Sequence, residues 1–371
     1  GETLSEYHAA DISGIEVAFS KALAPGTVNA ESVKLYKGYE DVSLAAEVSC
    51  GNDNKAVVVK PAGPLEVTRL KDNVLNLDFC DLTVDGRTER NLYTFEACNK
   101  LFNHCYGTGN PWDSAIQYRQ TIVERDTLTT GDIRVSYHFV VAGDFDTRGM
   151  KLVAEQPGIW NVKFNGTPVE AAAPDTLLDS RFGIYPVGNL VRRGTNTVEL
   201  SVSPMSIYAE IAPVYLFGDF ALESAGAGWI VREPAGKPAL GSWKRQGLPF
   251  YSWDMAYGRD YDIDDPAAGY TLRLRAWEGT LARVCVNGRK AGIIAWQPYA
   301  FDLTPYLRKG RNRVEVHVVG SLKNLFGPHY SADKGIAGPW HWNNVPKQLP
   351  GSDYDQRDYG LLEDFEIVMT K

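Results

Sequence analysis

Val284-Cys-Val-Asn287-Gly288-Arg-Lys-Ala-Gly292, followed by Gly310-Arg-Asn312-Arg-Val-Glu-Val-His-Val318, decides the fold, because the chain carries the same plan twice. The earlier copy reads Val162-Lys-Phe-Asn165-Gly166-Thr-Pro-Val169 and then Gly194-Thr-Asn196-Thr-Val-Glu-Leu-Ser-Val202. Asn-Gly suits the two left-handed central positions of a type I′ turn, so each copy predicts a tight hairpin. Beyond each hairpin, a basic turn containing glycine leads into apolar residues at every second position. That period belongs to a strand with one buried face.

Working outward, 371 residues suffice for two or three domains, each with its own core. Aromatics make up 11%, there are 35 glycines and 20 prolines, and few windows keep a helical period, so an all-β chain with many turns is expected. The formal charge of −8, from 38 basic and 46 acidic residues, is spread without a basic block, which excludes a nucleic-acid footprint and favours a neutral partner. No run approaches the 18 or so apolar residues of a membrane span. The five cysteines, Cys50, Cys80, Cys98, Cys105 and Cys285, form no CxxC pair, and Cys80 and Cys285 lie in strand-like runs as small buried residues.

Pro61-Ala-Gly-Pro64 marks a boundary, since two prolines and a glycine resist helix and central strand alike. Three units follow: residues 1–62, 65–225 and 226–371. The two larger units each hold one copy of the repeat and close on a similar Asp-Phe segment, Asp219-Phe220 and Asp364-Phe365. The last unit alone inserts a long aromatic loop, residues 321–358. Loops of that length are uncommon unless functional or disordered, and its aromatic content argues against disorder.

In the first unit, Phe19-Ser20, Pro25-Gly26-Thr27-Val28 and Ser32-Val33-Lys34-Leu35 resemble bacterial immunoglobulin-like modules, over about half of such a domain. In the last unit, Gln246-Gly247, Pro249-Phe250-Tyr251, Val286-Asn287-Gly288, Ala295-Trp-Gln-Pro298 and Leu322-Lys-Asn-Leu-Phe-Gly-Pro328-His329 resemble the C-terminal galactose-binding-like jelly rolls of large bacterial glycoside hydrolases. These are enzymes of the α-L-rhamnosidase type of family 106 and relatives with a family 2 sugar-binding domain. Gly109-Asn-Pro-Trp-Asp-Ser-Ala115 is similar to a segment of the preceding jelly roll in the same proteins. The resemblance implies a small immunoglobulin-like sandwich plus two galactose-binding-like jelly-roll sandwiches, in the periplasm, outside the cell or at its surface. It also implies a catalytic (β/α) barrel of about 250 residues, and no alternation of strands and helices for one is present here. The expectation is therefore a non-catalytic accessory region, with carbohydrate and the catalytic domain of the same polypeptide as partners. The alternatives are a stand-alone surface glycan-binding protein, or a complete glycosidase with its site between the sandwiches.

Sugars offer apolar C–H faces and a rim of hydroxyls, so a sugar site needs flat aromatic platforms with amides, histidine, arginine or carboxylates beside them. The candidates are Trp340, Trp342, His329, His341 and Asn324 in the long loop, with Trp253, Tyr257 and Arg259 ahead of it. Trp277 and Trp296 lie in or beside strands and fit core packing. Glycoside hydrolysis needs two facing carboxyls. Asp260, Asp262, Asp264, Asp265, Asp353, Asp355 and Asp358 instead sit in turn-like surroundings. No catalytic residue is assigned. No cofactor is expected; jelly rolls of this kind often hold a structural calcium ion, but no ligand set follows from the sequence. Cys98, His104 and Cys105 supply only three zinc ligands at unfamiliar spacing. Neither a phosphate loop nor a Ser-His-Asp arrangement can be assembled.

Overall fold

This computed structural model describes residues 35–36, 43–44, 57–113, 128–129, 131–172, 177–330, 341–342, 345 and 347–370. Two compact units emerge, residues 1–57 with 370–371 and residues 58–369. In the first, the antiparallel ladder β1 (Leu35–Tyr36) with β2 (Ser43–Leu44) is described. The remaining immunoglobulin-like motifs, Cys50 and Trp340 lie outside the described residues.

The second unit is all-β as expected, and its architecture is two sandwiches. One sheet of the first sandwich runs β13 (Phe182–Pro186), β10 (Lys151–Glu155), β16 (Val214–Gly218), β5 (Asn73–Leu77). The facing sheet runs β12 (Thr167–Val169), β11 (Asn161–Phe164), β14 (Gly194–Val202), β9 (Ile133–Val141), β18 (Trp229–Arg232), β17 (Ala221–Ser224). One edge of β9 is shared: β6 (Phe79–Val84), itself paired with β7 (Arg87–Tyr93), takes the first half, and β18 joins the second half in parallel. Ile133, Val135, Tyr137, Phe139 and Val141 of β9 point into the core at alternate positions, as the pleat dictates.

The second sandwich has a five-stranded sheet, β23 (Arg289–Ile294), β22 (Leu281–Val286), β25 (Gly310–Val319), β19 (Asp254–Ile263), β4 (Glu66–Arg69). It faces β24 (Ala300–Asp302), β20 (Gly269–Arg273), β27 (Glu366–Thr370) and β3 (Val57–Val58), where the unit begins. Among the described residues, short ladders β8 (Leu128–Thr129) with β15 (Met205–Ser206) and β21 (Trp277–Glu278) with β26 (Gly360–Leu361) complete the set.

Sheet membership crosses both expected seams. β4 pairs with β19 of the second sandwich, and β18 pairs with β9 and β17 of the first. The first sandwich is thus threaded between β4 and the remainder of the second. An edge-strand sequence carries no mark of which edge it will join, so this exchange is a tertiary property.

Both Asn-Gly hairpins form as predicted. Asn165 and Gly166 have φ of 50° and 83°, and Asn287 and Gly288 have 52° and 77°. Among the described residues the one long helix, α1 (Thr94–Tyr106), is a departure from the sequence expectation. Ala97, Cys98, Leu101 and Phe102 face the core at helical spacing, and the helix stops at left-handed Gly107, whose N–H donates to Asn103 O (3.0 Å). Cys98 is buried while His104 is exposed and paired with Asp85, so helix geometry separates the potential zinc ligands. Among the described residues no group of three metal-ligating side chains converges, and no helix is long and apolar enough to cross a membrane.

Candidate functional site

In its described parts the long loop folds back on the first sandwich. Its one-turn helix Lys323–Phe326 presents Leu325 O to Asn76 Nδ2 of β5 (2.7 Å) and stacks Phe326 edge-on against Tyr215 of β16. The Tyr330 hydroxyl donates to Asp78 Oδ1 (3.0 Å) and lies 2.8 Å from the Tyr354 hydroxyl, which Gln348 Nε2 approaches to 3.4 Å. Asp78 is 2% exposed, and His329 Nδ1 sits 3.6 Å from its Oδ2. Burial pushes the Tyr330 and Tyr354 hydroxyls far above the usual tyrosine range, and the Asp78 charge pushes the same way. They remain neutral donors. Phe79, Tyr93 and Tyr330 meet at 5.4–5.6 Å around this cluster. Burying one such side chain is worth about 2–3 kcal/mol, enough to seat the loop firmly.

The nominated residues therefore fall into two groups. Asn324, His329 and Trp342 come together within the loop, each with its polar atoms engaged. Asn324 exchanges bonds with Arg357 (2.9 and 2.8 Å), His329 Nε2 is 2.9 Å from Asn324 O, and Trp342 Nε1 donates to Phe326 O (3.1 Å). His341, beside Trp342, is half-buried. Near or on β19, Trp253 packs between Phe217 and Tyr251 at the seam of the sandwiches. Tyr257 is wholly buried, its hydroxyl accepting from Trp243 Nε1 (2.8 Å), and Arg259 is tied to Asp364 (2.7 Å) and Gly63 O (2.9 Å). Trp277 is half-buried against Tyr299, but Trp296, expected in the core, is 78% exposed. The acids of the second sandwich make turns and surface ion pairs: Asp265 accepts from Ala267 N, and Asp260 and Asp262 pair with Arg311.

Sequence reasoning passed over the most sugar-like grouping. It lies where α1 ends. Asn110 Nδ2 bridges two carboxyls, Glu210 Oε1 at 2.9 Å and Asp113 Oδ1 at 3.2 Å. The two oxygens thus lie no farther apart than these two bonds laid end to end. Asn99 fixes the bridge: its Oδ1 accepts from Asn110 N (3.0 Å) and its Nδ2 approaches Asp113 Oδ2 (3.4 Å). Beside the carboxyls, the Trp112 ring lies 5.6 Å from that of Tyr208, which is 40% exposed, and Trp112 Nε1 donates to Ile207 O (2.8 Å). Burial raises the Glu210 carboxyl, the Asn110 hydrogen bond pulls it back, and Glu155 and Asp113 add to the rise. Asp113 and Glu155 are also raised, chiefly by burial. Phe95 and Asn99 stand one turn apart on α1, and Phe95 lines the cluster holding Trp342. The loop and the carboxyl bridge therefore flank one face of one helix. The signal for this grouping was the Asn-Pro-Trp-Asp segment, which was legible as a motif but had no partner in sequence.

No family model matches the chain, and no curated protein matches it. Among solved structures it is similar to a rhamnosidase from Novosphingobium sp. PP1Y (16% identity over 65% of this chain and 24% of that one, TM-score 0.26). It is also similar to a Bifidobacterium dentium beta-glucuronidase complexed with coumarin-3-O-glucuronide (19%, 41% and 29%, TM-score 0.24) and to a beta-D-mannosidase from Dictyoglomus thermophilum (10%, 69% and 31%, TM-score 0.25). The chain spans about a quarter to a third of the length of these glycoside hydrolases.

Proposed function

We propose that this chain is a non-catalytic carbohydrate-binding region of a bacterial glycoside hydrolase, and that Trp112, Tyr208, Asn110, Asp113 and Glu210 form its glycan platform. The observation that carries the reading is the pairing of two aromatic rings with an amide-bridged pair of carboxyls. Rings take the apolar faces of a sugar, and amide and carboxyl oxygens take its hydroxyls. The motif resemblance of the sequence supports the enzyme family. Asn110 Nδ2 engages one oxygen of each carboxyl and Asn99 Nδ2 approaches the other oxygen of Asp113, so the pair is held as a hydrogen-bonding wall of the kind that takes sugar hydroxyls. The nominated loop residues then act as the mount, with Trp342 bordering the platform through α1.

A glycan array probed with the intact chain tests this. Binding to neutral oligosaccharides that falls at least about tenfold in Trp112→Ala and Tyr208→Ala, with unchanged circular dichroism, is the expected result. An array on which the native chain retains nothing sinks the platform. Hydrolysis of aryl glycosides by the native chain, abolished in Glu210→Gln, would replace the binding role with a catalytic one.

A further inference from the structure

The outer face of the eight-stranded sheet carries a second polar recess, of about 130 Å³, walled by Asp81, Asn91, His138 and Gln348 above Leu77 and Phe79. Its construction is local and specific. The β6–β7 register shifts between Cys80 and Leu82, where Arg90 and Asn91 of β7 oppose the single residue Asp81, so the additional residue of this bulge lies on β7. Bulges bend a strand and re-aim a side chain. Across from Asp81, Asn91 adopts a left-handed φ of 55° and donates its N–H to Asp81 Oδ1 (2.9 Å). Asparagine is among the few non-glycine residues that adopt that conformation readily. The other carboxylate oxygen lies 3.4 Å from His138 Nε2, and His138 Nδ1 lies 3.1 Å from Thr197 Oγ1. Gln348 arrives from the long loop of the other sandwich, so the wall is complete only when that loop is docked.

We propose that this recess binds the hydroxyl edge of one neutral sugar or polyol. A carboxylate, two carboxamides and an imidazole at one place offer both donors and acceptors, and a hydroxyl both donates and accepts. The volume matches about four waters, at roughly 30 Å³ each, which suits a vicinal diol or part of one ring rather than an oligosaccharide. No lysine or arginine lines the wall and one carboxylate does, so a uronate is disfavoured. The site shares no residue with the platform of Trp112 and Glu210, and each stands or falls separately.

Galactose, glycerol and glucuronate, titrated into the full chain while the His138 ring resonances are followed by NMR, supply the test. Galactose and glycerol are expected to shift those resonances with millimolar affinity. Asp81→Asn and Gln348→Ala each weaken that binding by about tenfold or more, while Trp112→Ala leaves it unchanged. Gln348→Ala removes one long hydrogen bond, to the Tyr354 hydroxyl, and keeps the test valid if Asp81→Asn misfolds. Silent His138 resonances with galactose and glycerol, glucuronate binding as tight as galactose, or full binding in both variants would each overturn the proposal.

Discussion

The two copies of the repeat share one polar lock. In the first, Asn165 Nδ2 donates to Asn196 Oδ1 (2.8 Å), while Asn196 Nδ2 holds Arg192 O (2.7 Å) and Gly194 O (3.1 Å). In the second, Asn287 Nδ2 donates to Asn312 Oδ1 (3.0 Å), and Asn312 Nδ2 holds Arg308 O (2.6 Å) and Gly310 O (2.9 Å). Asn196 and Asn312 are both fully buried. The copies part at their ends: the first gains α1 and the Trp112 segment, and the second sends its loop across to the first. The repeat is therefore scaffold, and what hangs from it is where recognition can be built.

The largest expected effect falls on the shared lock. Asn196→Ala and Asn312→Ala each strand buried backbone carbonyls and the partner asparagine, at a cost of about 3–4 kcal/mol apiece. Urea denaturation of the two variants measures the pair directly. Losses that differ by more than about half would show that the two copies do not carry the same load.

The seam between copies comes next. Tyr330→Phe keeps the ring packing but leaves buried Asp78 Oδ1 without its hydroxyl donor, which is expected to cost about 2–3 kcal/mol. Faster proteolytic cleavage within residues 321–358 should accompany it. A variant as stable and as protease-resistant as the native chain would mean that apolar contacts alone seat the loop.

The hairpins were legible because Asn-Gly and its flanking alternation act within a few residues. The strand exchange at β4 and β18 was not, since pairing partners are chosen by the assembled sheets. Aromatic content drew attention to Trp340 and Trp342, yet an aromatic facing another sandwich has the same sequence signature as one facing a sugar. Tyr330, Tyr354 and Phe250 pack at the seam, while Trp296, set beside an apolar strand, stands in solvent. Helix α1 was missed because its apolar face, Ala97, Cys98, Leu101 and Phe102, is short, while Asn99, Lys100 and Asn103 make up the opposite, polar face. Glu210 was invisible because nearly a hundred residues separate it from Asp113, and only the fold brings both to one amide.

The smallest effect separates stability from recognition at that amide. Glu210 has a folded-state carboxyl raised above its ordinary value, chiefly by burial, so the folded chain binds its proton more tightly than the unfolded chain does. Between the ordinary glutamate value and the raised one, the folded state holds more protons, and stability falls as pH rises through that window. Glu155 and Asp113 slope the same way. Glu210→Gln keeps an oxygen for Asn110 Nδ2 but removes the charge. It is expected to flatten this part of the pH profile and to raise the melting temperature slightly at neutral pH. In the first copy alone, then, a single substitution should stabilise the fold while weakening glycan retention. Thermal melts from pH 4 to pH 8, set beside the array signal of the same variant, decide it: an unchanged slope would place the Glu210 carboxyl in water rather than in a sugar-binding wall.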